Sequence, residues 1–229
     1  MKTWIRTPGG RSAPTDAELT AAWQTASLLL GYPDEGLLAR RPLLGQAVAA
    51  LPPSLGEPLG RFLDHLDATP LAQLAADYVA TFDHRRRCCL YLTYYAYGDT
   101  RKRGMALLRF KHAYRAAGLV LADGELPDHL SVVLEFAATG DRREGRRLLL
   151  EHRAGLELLR LALAEAGSPW ASVLDAVSAT LPPLDGDVRE AVARLAAEGP
   201  PEEEVGLAPF DAHAGHPALL PEPVVGARK

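Results

Sequence analysis

The chain has 229 residues, 48% of them hydrophobic and 24% charged, which is enough for one substantial core and ordinary for a globular protein. A formal net charge of −4 argues against a general nucleic-acid binder, and the two cysteines, Cys88 and Cys89, are neighbours that could pair only under strain, which excludes a disulfide scaffold. Residues 1–14 lack the apolar core of a secretory signal and no later stretch approaches the length of a membrane span, so the expected location is cytoplasmic, with no direct membrane insertion.

Abundant Ala and Leu make an all-α fold the default. After a flexible N-terminus over 1–14, Thr15 and Glu18 make a capping box, and Leu19, Ala22, Trp23, Ala26, Leu29 and Leu30 recur at helical spacing until Gly31-Tyr32-Pro33. A second helix runs from Leu37 to Leu51. A third opens at Ser54 with Glu57 and turns Leu55, Leu59, Phe62, Leu63 and Leu66 inward. Thr69-Pro70 supplies a cap and a first-turn proline for a fourth, whose stripe continues through Leu74, Tyr78 and Phe82. Cys88 to Tyr97 is apolar on every side and reads as a buried helix, with a short strand as the alternative. Gly98 ends it, and Asp99 can cap the next helix, from about Thr100 to Ala117. Another starts near Pro127 and stops at Gly140. Asp141 with Glu144 begins a long Arg- and Leu-rich helix to about Ala166, Ser168-Pro169 begins another to Thr180, and Asp185 to Ala197 supplies the last. The sum is about nine helices in one domain over 15–198, followed by a mobile or loosely docked tail over 199–229, where prolines and a run of glutamates replace the periodicity.

Three groups of residues invite a chemical reading. Asp128-His129 could be a general-base pair or part of a metal site, but Pro127 at a first helical position favours carboxylates that cap a helix start. His84, Cys88 and Cys89 match no common zinc spacing, so no metal and no resident cofactor is expected. Arg85, Arg86, Arg87, Arg101, Lys102, Arg103, Arg109, Lys111 and Arg115 could form a phosphate-binding face for a nucleotide or nucleic acid, against a solvated or protein-docking face favoured by the negative total charge. Nucleophile elbow, phosphate loop, dinucleotide fingerprint and paired-histidine zinc helix are all missing, which points away from an enzyme.

Three further stretches, Tyr78-Val79-Ala80-Thr81-Phe82-Asp83, Gly98-Asp99-Thr100-Arg101-Lys102-Arg103-Gly104, and Glu125-Leu126-Pro127-Asp128-His129-Leu130 through Leu134-Glu135-Phe136, together resemble the NarJ family of nitrate reductase assembly chaperones. The Glu-x-x-Asp-His element is also similar to the wider TorD-like group of molybdoenzyme chaperones. The resemblance spans about Glu18 to Ala197 and implies a TorD-like helical bundle. The implied task is to bind the apo catalytic (alpha) subunit of a respiratory nitrate reductase through its N-terminal segment, to support insertion of the molybdenum cofactor and an iron–sulfur cluster, and to delay membrane attachment. It leaves room for molybdenum cofactor biosynthesis proteins as further partners. A groove between helices suits such a client, with apolar anchors inside and polar groups at the rim. On this reading Tyr78, Phe82 and Phe136 supply apolar contacts, Asp83, Asp99, Glu125, Asp128 and Glu135 meet basic client residues, Arg101 and Arg103 bind client carboxylates or brace the loop, and His129 lies at the groove.

Overall fold

The computed structural model describes residues 13–122 and 124–198, and the expectations for the N-terminus, apart from Ala13 and Pro14, and for the 199–229 tail lie outside them. The described residues form eleven α-helices and no strand: α1 (Asp16–Leu29), α2 (Glu35–Ala49), α3 (Pro53–Ala68), α4 (Leu71–Tyr78), α5 (Leu92–Tyr97), α6 (Arg101–Ala116), α7 (Leu130–Thr139), α8 (Arg142–Glu151), α9 (Arg153–Glu165), α10 (Trp170–Ala179) and α11 (Gly186–Glu198). The all-α expectation holds. The expected Asp141–Ala166 helix is two helices, because His152 leaves helical geometry at φ −105° and ψ 20° between α8 and α9.

Local capping chemistry sets several boundaries. Thr15 and Glu18 form the expected reciprocal capping box, Asp34 accepts from the Leu37 amide at 2.7 Å, and Asp141 accepts from the Glu144 amide at 2.9 Å. Other starts differ from the sequence reading. Thr69 and Ser54 do not cap; α4 and α3 follow Pro70 and Pro52 with no side-chain cap. Between α4 and α5 the chain passes through a π turn, Val79–Asp83, and a 3₁₀ turn, Arg86–Cys88. π turns close i→i+5 hydrogen bonds in place of i→i+4, one residue wider than an α-helix, and are frequent at functional sites.

The core is organised by α1, which packs on α7 and α10, while α10 packs on α3 and α9. Two tryptophans join these layers. Trp23 donates its indole N–H to Thr180 Oγ1 at 2.9 Å, and Trp170 donates to the Leu29 carbonyl at 3.1 Å, so neither large ring is buried with an unpaired donor. Around Trp170 stand Phe62, Phe82 and Tyr78, with centroid separations of 5.4, 5.3 and 5.8 Å. The α7/α8 crossing is close enough that a Cβ on Gly145 would lie 2.5 Å from Ala137 Cα, so only glycine fits there.

One buried charge cluster ties α9 to α10. Glu157, 2% exposed, pairs with Arg153 at 2.9 Å and with Arg160 at 2.8 Å, and accepts from Ser178 Oγ at 2.6 Å. Arg160 continues to Asp175 at 3.1 Å. Removing one member leaves the opposite charge buried, whereas replacing the inner pair together need not. Glu157→Ala should therefore lower unfolding free energy by about 3 to 5 kcal/mol in urea titration, and an Arg153→Met/Glu157→Leu double variant should recover most of that loss.

Candidate functional site

The chain between Gly124 and Leu130 meets the Gly98–Gly104 stretch, through Arg103, and the segment 90–93. Gly124 takes φ +99°, which a side chain would resist, and turns the chain toward Pro127, whose carbonyl accepts the Tyr114 hydroxyl. Residues 126–129 make a turn, closed by the His129 amide donating to the Leu126 carbonyl at 3.1 Å, and lie beside 90–92: the Leu92 amide donates to the Asp128 carbonyl at 3.0 Å, the Leu130 amide donates to the Leu90 carbonyl at 2.8 Å, and Tyr91 pairs with His129 as an isolated antiparallel bridge. This pairing explains why α7 starts at Leu130 and not at Pro127.

Asp128 has no exposed surface. Its Oδ2 accepts from the Thr93 amide at 3.2 Å and from the Thr93 hydroxyl, so the carboxylate caps α5 from across the fold. Capping was the favoured sequence reading of this residue; the helix it caps is α5, whereas α7 has no side-chain cap. Arg103 of α6 closes the arrangement. Its Nε donates to Thr93 Oγ1 at 3.2 Å, its Nη1 to Asp99 at 3.1 Å, and its Nη2 lies 3.7 Å from Asp128 Oδ2, while the guanidinium stacks 5.3 Å over Tyr91. Tyr91 in turn meets the His129 ring edge-on at 5.3 Å, and His129 Nδ1 is 2.6 Å from Ser131 Oγ. Asp128 Oδ1 and Arg103 Nη2 are buried without a hydrogen-bond partner among the described residues, so the latch rests on a charge pair and a threonine relay and not on a bidentate fork.

The π turn belongs to the same neighbourhood. Burial is the main reason the Tyr91 hydroxyl is pushed above the usual tyrosine value, followed by the charges of Cys89, Asp128 and Asp83, with Arg103 opposing. Burial likewise raises Tyr78, with Asp83 and Tyr91 adding to it.

The expected contact residues divide by position. Tyr78, Phe82 and Phe136 are core side chains, 8%, 9% and 4% exposed: the first two face Trp170, and Phe136 faces Tyr114 at 4.6 Å. Asp128 is inside the latch; Arg103 and His129 are half-buried. Asp83, Asp99, Arg101, Glu125 and Glu135 are exposed. Thr93 and Tyr114, which complete the latch with Tyr91, were not singled out from sequence; each sits among aromatic or apolar neighbours that read as core. Cys88 and Cys89 are free thiols, Cys89 pushed up to about 11 chiefly by burial, and among the described residues no group of three or more His, Cys, Asp or Glu side chains could hold a metal ion. No described helix is long and apolar enough to cross a membrane.

The nitrate reductase delta subunit family model matches residues 48–175, which enclose the whole latch. The chain belongs to this family, the NarJ family. It is 32% identical over 181 residues to a Bacillus subtilis protein described as the probable nitrate reductase molybdenum cofactor assembly chaperone NarJ, covering 78% of this chain and 95% of that one. It is 43% identical over 158 residues to the nitrate reductase-like protein NarX of Mycobacterium tuberculosis, covering 69% of this chain but only 24% of that longer relative. Among solved structures, a chain from Archaeoglobus fulgidus described as a redox enzyme maturation protein matches with a TM-score of 0.53 at 21% identity, over 77% of this chain and 97% of that one, which establishes the shared all-helical fold. Nothing in these comparisons favours the nucleic-acid alternative.

Two measurements follow from the latch. Asp128→Ala should cost about 3 kcal/mol, since it strips α5 of its cap and leaves Arg103 facing no inner carboxylate, and amide exchange should speed up at Leu92 and Leu130 before it does in α1 or α10. Two imidazoles give the pH dependence. Burial is the main cause holding His129 below the usual histidine value, with Asp128 pulling it back up; burial also lowers His152, with Glu151 and Asp128 opposing and Arg109 assisting. A base whose folded pKa is depressed binds fewer protons folded than unfolded, so stability is retained above the unfolded value of 6.5 and falls as pH drops below it. Urea unfolding at a series of pH values should show that decline, and a His129→Gln/His152→Gln variant should flatten it.

Proposed function

We propose that this chain is a system-specific assembly chaperone, without catalytic chemistry of its own, that acts in the cytoplasm on the apo catalytic subunit of a respiratory nitrate reductase. It binds the N-terminal segment of that subunit, keeps it receptive to the molybdenum cofactor and an iron–sulfur cluster, and delays membrane attachment until both are in. The observation that carries this reading is the alignment over 95% of a relative described as a molybdenum cofactor assembly chaperone, with the braced Glu125–Leu130 segment inside the matched region.

The chemistry of the site supports binding over catalysis. A general base must reach a substrate proton, and Asp128 is enclosed, its Oδ2 already occupied by Thr93. What faces solvent is a rim of mixed charge: the carboxylates Asp83, Asp99, Glu125 and Glu135, with Arg85, Arg86, Arg87, Arg101 and Lys102 between them in the chain, and the apolar Leu126 40% exposed between the latch and Gly124. The Glu125–Leu126 part of that rim suits a client segment that carries basic residues beside apolar anchors. Tyr78, Phe82, Asp128 and Phe136 then act from inside by fixing the shape of the rim, and Arg103 and His129 link the two layers.

Calorimetric titration with a peptide of about the first 16 residues of the catalytic subunit tests this. The expected result is binding at micromolar concentration or tighter, weakened at least about tenfold by Glu125→Arg/Glu135→Arg, with the variant's melting curve close to that of the parent. A peptide that fails to bind, alongside salt-sensitive binding of RNA, would sink the proposal.

A further inference from the structure

The outward face of α6 presents a different surface. α6 is held from one side only: Arg103 enters the latch, Phe110 stacks on His152 at 5.2 Å, and Tyr114 packs on Phe136 at 4.6 Å. The opposite side carries Met105 and Leu108, 70% and 46% exposed, and the turn that follows exposes Leu119 and Val120 at 42% and 85%. Met105, Leu108 and His112 follow at intervals of three and four, so they form one stripe along the helix. Between this stripe and α8 runs a groove of about 570 Å³, walled by Met105, Leu108, Arg109 and His112 on one side and by Glu144 and Arg147 on the other.

Basic side chains outnumber acidic ones around the groove. α6 contains six Lys and Arg residues and no acid. The groove carboxylate, Glu144, is already taken by Arg147, and Glu151 at the end of α8 pairs with Arg147 and with Arg109 at 3.7 Å. Lys102, Lys111 and Arg115 of α6, by contrast, make no ion pair among the described residues. Clustered like charge beside exposed apolar side chains leaves both the field and the apolar area unsatisfied within the chain itself.

We propose that the α6/α8 groove docks an acidic amphipathic helix of a partner protein. From Met105 to Ala116 the groove runs for about 17 Å at helical rise, three turns, which matches a partner helix with apolar residues at intervals of three and four flanked by Asp and Glu. A protein helix fits better than a lipid surface, because the site is concave and sits on a helix whose other face is committed to the core. The proposal stands independently of the client-peptide reading, which concerns the acidic rim around Glu125.

The test uses the full chain and a synthetic 18-residue helical peptide with leucines on one face and glutamates beside them. Fluorescence anisotropy should give micromolar binding that weakens as salt rises, and at least about a tenfold loss in Met105→Glu/Leu108→Glu, whose substitutions are at exposed positions and should leave the circular dichroism melt unchanged. A peptide with lysines in place of the glutamates should bind at least about tenfold more weakly. Equal binding of the two peptides, or parent-like binding by the Met105/Leu108 variant, would overturn the proposal. So would either of two other occupants: phosphatidylglycerol vesicles captured in a Met105-dependent manner while the acidic peptide is not, or a Met105-dependent dimer in sedimentation.

Discussion

Asp128 carries its charge at a position with no exposed surface, and a carboxylate there is tolerable only while donors and a cation stay arranged around it. Thr93 supplies two donors, Arg103 the cation, and the Leu92 amide takes the carbonyl of the same residue. These partners come from α5, α6 and the segment leading into α7, which share little hydrophobic area; α6 in particular buries only Ala106, Phe110, Ala113 and Tyr114. Desolvation of one charge thus does what a larger apolar interface does elsewhere. It makes the three segments form together or not at all, since each left alone would face an unpaired group.

The latch also explains how a helix as cationic as α6 is kept in place. Arg101 and Lys102 stand in its first turn, where the helix dipole disfavours positive charge, and Thr100 provides no side-chain cap hydrogen bond. Arg103, next to them, is offset by Asp99 and Asp128 on two sides. At the other end Arg115 is favourably placed in the last turn. With Arg103, Phe110 and Tyr114 fixed on the inner side, the outer side is free of packing duty, which is why Met105 and Leu108 can remain exposed without loss to the core.

Helices announced by local chemistry were legible in the sequence. The Thr15–Glu18 box and the Asp141–Glu144 start need only residues three apart, and the apolar stripes through Trp23, Phe62 and Leu134 needed only a period. Interactions across long separations left no such trace. Pro127 reads as a helix start until its neighbours are seen paired with Leu90 and Leu92, and that pairing depends on a segment far away in the chain. Arg153, Glu157 and Arg160 look like ordinary surface pairs at helical spacing, yet two of the three are buried, because α10 brings Ser178 over them. His152 gave no signal of the break between α8 and α9. The family resemblance rested on three short motifs, and motifs alone do not separate side chains that face solvent from those that are buried.

That separation bears on how such a site works. The loop between α6 and α7 exposes Leu119, Val120 and Leu126, apolar side chains that a free loop would tend to fold inward. It is held at both ends, by Tyr114 and the Asp128 latch at one and by the hydrogen bond from the Leu119 amide to the Tyr114 carbonyl, 2.9 Å, at the other. Pre-organisation of this kind lowers the ordering cost of binding, because the loop need not be fixed anew when a partner arrives. Under the proposed function, loss of Asp128 therefore raises the cost of presenting the rim without removing any atom from it, whereas loss of Glu125 removes a contact and leaves the presentation intact. The first defect travels with stability and the second does not, and that difference separates a residue that shapes the site from one that touches the client.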